Sequence, residues 1–154
     1  MNNYLNSMMG DINLTVTRKS RADPETLIGL VRNWYDLPEF WRGMREIKVA
    51  ESGILRVRFA FPGTARMSYI WDPLALAITE NYLDGPFTGF KRVEFLPDAN
   101  GTTLRATWNI KLSLPLIPLA PFIKGHFREG TENALKRLSE KAEMMIKPRI
   151  IGKK

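Results

Sequence analysis

The chain has no cysteine and a single histidine, His126, among 154 residues. Lack of cysteine excludes disulfides, thiolate catalysis, and zinc or iron–sulfur sites held by the chain's own thiolates. One histidine excludes a histidine-clustered metal site, and no cofactor is expected. Long apolar runs are also missing. The most apolar stretch, Leu112 to Ile123, is interrupted by Pro115, Pro118 and Pro121, and falls short of the roughly 18 uncharged residues that a membrane-spanning helix needs. Residues Met1 to Ser7 show neither a basic start nor an apolar core with a cleavage site, so the expected setting is soluble and cytoplasmic. Acidic side chains are the scarcer sign, 16 against 23 basic, for a net charge of +7. That excess favours anionic partners such as fatty acids, an acidic membrane surface or nucleic acid, without choosing among them.

What is present is the composition of one globular domain: 44% hydrophobic residues are enough for a core, and 25% charged residues enough for its surface. The domain is expected over residues 10–146, with flexible termini at 1–9 and 147–154. Ile12, Leu14 and Val16 alternate with polar residues, a first strand with one buried face. Asp23-Pro24 then opens a helix, with Asp23 as N-cap, and Leu27, Ile28, Leu30, Val31 and Trp34 as its apolar face. A further helical turn is expected at Pro38 to Trp41. From there to Ser113 the pattern is strand and turn: Ile47 to Ala50, Leu55 to Phe61, Thr64 to Trp71, Leu74 to Tyr82, Phe87 to Leu96 and Thr102 to Leu112. Turn residues such as Pro62-Gly63 and Asp84-Gly85-Pro86 separate them. Connections this short join antiparallel neighbours, giving about seven strands. A long amphipathic helix over about Leu119 to Ile146 follows, with Leu119, Phe122, Ile123, His126, Phe127, Gly130, Ala134, Leu135, Leu138, Ala142 and Met145 expected to face the sheet.

This order of elements resembles that of the START-like (SRPBCC) superfamily, which includes birch-pollen-allergen-like proteins, steroid and phospholipid carriers, and polyketide cyclase or dehydratase-like proteins. Asp23-Pro24-Glu25 and Asp36-Leu37-Pro38-Glu39-Phe40-Trp41 are similar to the family's opening. Gly101-Thr102-Thr103-Leu104 resembles the turn into its last long strand, and Phe127 to Leu138 its C-terminal helix. By element order the resemblance spans residues 10–146. It implies an α+β helix-grip fold, a curved antiparallel sheet around a long C-terminal helix, with a cavity between helix and sheet. It implies no particular reaction.

The residues expected to line that cavity are Phe59, Phe61, Met67, Tyr69, Trp71, Tyr82, Phe90, Arg92, Trp108, Phe122, His126, Phe127, Gly130 and Ala134. The same aromatic set could equally be solid core. Gly130 and Ala134 give up volume, either for close approach of helix to sheet or for a ligand. Arg92 lies on the parity of Phe90 and would meet a carboxylate if that face is inward; the opposite parity puts it in water. His126 is the candidate general acid or base, but no carboxylate sits within a turn on its face, so a polar contact to a ligand is the plainer role. Arg56, Arg58, Arg66 and Arg105 could form a basic outer face suited to peripheral contact with an acidic membrane. The basic residues are scattered rather than stacked on one recognition helix, so no specific nucleic acid is expected. The leading reading is a carrier, sensor or storage protein for a hydrophobic small molecule such as a fatty acid or other lipid. A polyketide cyclase or dehydratase-like enzyme working in the same cavity is the alternative, as is an assembly partner with a filled core. The oligomeric state is left open.

Overall fold

The computed structural model describes residues 10–146; the termini expected to be flexible, 1–9 and 147–154, lie outside the described residues. Strand β1 (Asp11–Ser20) leads into helix α1 (Pro24–Val31), a 3-10 turn (Trp34–Asp36) and the one-turn helix α2 (Leu37–Phe40). Six strands follow: β2 (Met44–Glu51), β3 (Ile54–Phe59), β4 (Thr64–Asp72), β5 (Ala77–Tyr82), β6 (Phe87–Asp98) and β7 (Gly101–Leu112). A 3-10 segment (Leu114–Leu119) then runs into α3 (Ala120–Met144). The strands form one antiparallel sheet in the order β1-β7-β6-β5-β4-β3-β2. Consecutive strands β1 and β2 thus lie at opposite edges, and α1 with α2 carries the chain from one edge to the other over the inner face.

Alternation decides which side chains face inward. Ile12, Leu14 and Val16 of β1 pair across the ladder with Ile110, Trp108 and Ala106 of β7, and all six are buried. Two boundaries differ from expectation. Strand β5 begins at Ala77 rather than Leu74, because Asp72 Oδ1 accepts the N–H groups of Leu74 and Ala75 and folds these residues into a turn. Leu76 sits there at φ +51° and Leu74 is 97% exposed. The last helix starts at Ala120, since the prolines hold residues 114–119 in a 3-10 conformation. At α1, Asp23 occupies the N-cap position but takes its hydrogen bond from the Thr26 hydroxyl rather than a backbone N–H.

Helix α3 buries a narrower stripe than its sequence suggests. Ala120, Thr131, Ala134, Leu135, Leu138, Ser139 and Ala142 are buried, with Ile123 and Phe127 partly so. Leu119, Phe122, His126, Gly130 and Met145, expected inward, are exposed instead. Phe122, His126 and Gly130 lie more than about 90° round the helix from the buried line, while Leu119 and Met145 flank the helix ends. The helix is therefore seated by its C-terminal half, where Glu143 fastens it to the end of β1. The carboxylate accepts the Arg21 N–H at 2.8 Å and the Ser20 and Ser139 hydroxyls at 3.2 Å each. The Arg21 N–H, foremost, holds its pKa below the usual carboxylate range. A lowered pKa means stability that is complete above the ordinary carboxylate pKa and is lost as pH falls through the lowered value. Glu143→Gln is expected to cost about 1–2 kcal/mol at pH 7 and almost nothing near pH 2; urea denaturation of both proteins at the two pH values checks this.

Candidate functional site

The inner face of the sheet carries a connected aromatic cluster. Phe59 and Phe61 stack with centroids 5.2 Å apart, Phe59 meets Phe87 at 5.3 Å, and Phe87 meets Tyr82 at 4.8 Å. Trp108 lies parallel to Tyr82 at 6.0 Å and against Phe127 of α3 at 4.9 Å. Phe59, Tyr82, Phe87 and Trp108 are buried, while Phe61 and Phe127 are partly exposed and form the rim. The Trp108 indole N–H donates to Thr131 Oγ1 at 2.8 Å, and the Thr131 hydroxyl donates to the Phe127 carbonyl at 2.7 Å. That chain locks the tryptophan to the helix turn above it.

Of the residues expected to line a cavity, the fold brings Phe59, Phe61, Tyr82, Trp108 and Phe127 together in this cluster. Met67 and Ala134 are fully buried beside the core. Tyr69 and Trp71 stand farther along β4: the Tyr69 hydroxyl donates to the Val31 carbonyl, and Trp71 lies 5.9 Å from the Arg32 guanidinium. Phe90 and Arg92 are on the opposite face. The inward residues of β6 are Phe87, Lys91, Val93 and Phe95, and Arg92 donates to Thr79 Oγ1 on the outside at 3.3 Å. Phe122, 76% exposed, and His126 and Gly130 point to water, so none of them faces the interior. A Cβ on Gly130 would meet nothing within 4 Å, so neither close approach nor a ligand space explains that glycine.

The inner end of the cluster holds polar residues absent from the expected set. Lys91 and Glu80 are directly opposite in the β5–β6 ladder, 0% and 1% exposed, with Lys91 Nζ 2.8 Å from Glu80 Oε2. The Tyr82 hydroxyl donates to Glu80 Oε1 at 2.6 Å. Lys91 Nζ lies 3.6 Å from the ring centroid of Trp41 and 5.4 Å from that of Trp108, favourable cation–π placements in a desolvated site. Burial lowers the pKa of Lys91, opposed by the Glu80 charge. Burial and the same charge push the hydroxyls of Tyr82 and Tyr69 up. Strand parity could have revealed this pair, since Lys91 shares its face with Phe87, Val93 and Phe95, and Glu80 with Ile78 and Tyr82.

The interior beside this pair is nearly full. Val31, Leu37, Trp41, Tyr69, Ile78, Glu80 and Val93 enclose a void of about 10 Å³, at the lower limit of what one water requires. The Pro62-Gly63 and Asp84-Gly85-Pro86 turns pack together, a Cβ on Gly63 falling 2.9 Å from the Pro86 ring. Asp84 accepts the Arg66 N–H at 2.8 Å, and a Cβ on Gly85, whose φ is +100°, would fall 2.4 Å from the Thr64 carbonyl oxygen. On the outer face the arginines are largely paired: Arg66 with Asp84, Arg58 with Glu46 and Arg105 with Glu94. No group of three metal-ligating side chains occurs among the described residues, and no described helix is long and apolar enough to cross a membrane.

No family model and no curated protein matches the chain. Solved structures do. A START superfamily protein from Mycobacterium smegmatis superposes with a TM-score of 0.68 at 18% identity, covering 88% of this chain and 98% of that one. The chain shares the helix-grip fold of that protein. The same helix-grip architecture is shared with the Zhui aromatase/cyclase of a Streptomyces species, at TM-score 0.69 and 16% identity over 89% of this chain and 95% of that one. Norcoclaurine synthase of Thalictrum, as a point mutant with a transition-state analogue, is similar at TM-score 0.64 and 12% identity over 87% and 95%. At these identities the likeness establishes the helix-grip fold and carries no activity across.

Proposed function

We propose that this helix-grip protein binds an apolar small molecule whose polar end is received by the Lys91–Glu80 pair. The observation that carries this reading is the graded inner surface. Aromatic rings run without a break from the partly exposed rim at Phe61 and Phe127 to a fully buried ion pair at the inner end. An ion pair in that position contributes little net stability, since desolvation offsets its Coulomb attraction and an apolar pair would pack as well. Orienting a ligand is a use that an apolar pair could not serve.

Entry to the aromatic cluster requires Phe61, Phe127 and the lightly seated first half of α3 to move aside. That movement sets the affinity. A ligand burying about 300 Å² of apolar surface gains roughly 7 kcal/mol at about 25 cal/mol per Å², which alone corresponds to about 10 μM, and the reorganisation and lost freedom of association make binding weaker than that. Native mass spectrometry of protein from its own host, followed by organic extraction, is expected to reveal a co-purifying lipid or polycyclic compound. Titration of tryptophan fluorescence with fatty acids and polycyclic aromatics is expected to saturate at one equivalent. An empty protein that binds none of these removes the proposal.

The enzyme reading is favoured by one observation: Lys91, Glu80 and Tyr82 are three titratable groups in direct contact inside the fold. Proton transfer during a cyclisation or dehydration would be assigned to them and not to exposed His126. In that case Lys91→Met removes turnover while His126→Ala retains it.

A further inference from the structure

One end of the sheet leaves apolar side chains in water. The Gly63 turn packs on Pro86, and the Ser113 N–H donates to the Pro86 carbonyl at 2.9 Å. The β5–β6 turn and the 3-10 segment that leads into α3 therefore share this end of the molecule. Leu83 and Leu119 are about half exposed there, Leu114 and Phe122 about three-quarters. Single exposed leucines are ordinary, but several large apolar side chains gathered at one end mark an interaction surface. Pro115, Pro118 and Pro121 stiffen the backbone that carries three of the four, so little freedom is lost when they are covered.

Charge selects what covers them. No Asp or Glu occurs between Gly101 and Arg128. Lys124 and Arg128 are exposed and have no acidic partner among the described residues, whereas the arginines of the outer sheet face are largely paired. Of the carboxylates nearby, Asp84 is held by Arg66, and Glu129 lies two turns beyond Phe122, about 10 Å along α3. A second copy seated on the same patch would bring like charges together across a two-fold contact. An anionic bilayer satisfies both features, since its headgroups take the cations and its acyl boundary takes the apolar side chains.

We propose that this end of the molecule docks on an anionic lipid bilayer. Leu114, Leu119 and Phe122 enter the interface, and Lys124 and Arg128 meet the lipid phosphates. The docking surface is separate from the outer face of the sheet and stands independently of the ligand-binding reading.

The test is co-sedimentation of the full chain with vesicles. Those made of equal parts phosphatidylcholine and phosphatidylglycerol are expected to bind at least about tenfold more tightly than phosphatidylcholine alone, a preference that high salt removes. Leu114→Ser combined with Phe122→Ser is expected to weaken binding at least about tenfold; both side chains are largely exposed, so the fold is retained. Lys124→Gln with Arg128→Gln is expected to remove most of the preference for the anionic lipid. Because the chain has no cysteine, Leu119→Cys carries a polarity-sensitive dye at one position. Its emission should shift to the blue on anionic vesicles, while a dye at Lys136→Cys, about 25 Å farther along the helix, should not respond. Absence of binding to anionic vesicles, or binding that the serine variant keeps in full, would overturn the proposal. A dye at position 119 that is already blue-shifted without vesicles and unmoved by them would overturn it too, and would assign the face to the chain itself or to a second copy.

Discussion

Lys91→Met is expected to destabilise the protein by about 3–5 kcal/mol, far more than the ion pair itself contributes. Methionine fills nearly the space of the lysine stem, so packing changes little, but Glu80 at 1% exposure is left with only the Tyr82 hydroxyl. Without its cation a buried carboxylate is held most readily as the neutral acid. The folded variant then keeps a proton that the unfolded chain has released at neutral pH. Stability therefore falls as pH rises above the ordinary carboxylate range, the reverse of the Glu143 dependence. Lys91→Met combined with Glu80→Leu is expected to recover most of the loss, because removing both members leaves no orphaned charge. Urea denaturation of the three proteins at pH 5 and pH 7 provides the comparison. A single variant costing under about 1 kcal/mol would mean that the pair is reached by water, and would remove the reason for assigning it a recognition role.

Trp108→Ala is the second large effect, expected at about 3–5 kcal/mol. The ring touches Tyr82, Phe87 and Phe127, and its N–H is bonded to Thr131. Truncation opens an indole-sized hole at the centre of the aromatic cluster, lined by rings that cannot collapse far because β6, β7 and α3 hold them. Added indole is expected to enter it and raise the melting temperature in a concentration-dependent way, adding about 2.7 kcal/mol of stability at a hundredfold excess over its dissociation constant. Wild-type protein, which lacks the hole, should show a smaller rise at the same indole concentration. A loss that indole fails to reverse would indicate that the cluster repacks on truncation, and that ring position is not maintained by the sheet.

Much of the architecture was legible in the chain because strand alternation is a local property. The inward rows of β1, β3 and β7 follow directly from Ile12-Leu14-Val16, Leu55-Val57-Phe59 and Leu104-Ala106-Trp108. The face of β6 was not legible in the same way, since Phe90 and Phe87 lie on opposite parities and either could have been core. Pairing decides it: Lys91 faces in opposite Glu80, and Phe90 goes out opposite Asn81. Helix α3 shows the same limit. Periodicity allowed a broad apolar face including Phe122, His126 and Gly130, but the sheet accepts only the line through Phe127, Thr131, Leu135 and Leu138.

Composition and periodicity were sufficient for the element order and the antiparallel connections, because each depends on residues close together in sequence, and the resemblance of that order to a known superfamily implied the helix-grip fold. Which rings meet, and the burial of Lys91 against Glu80 and Trp41, were decided only in three dimensions. Those contacts join strands and helices through the sheet register and the docking of α3, and no local pattern carries that information. A lysine reads as a surface residue until its neighbours close over it.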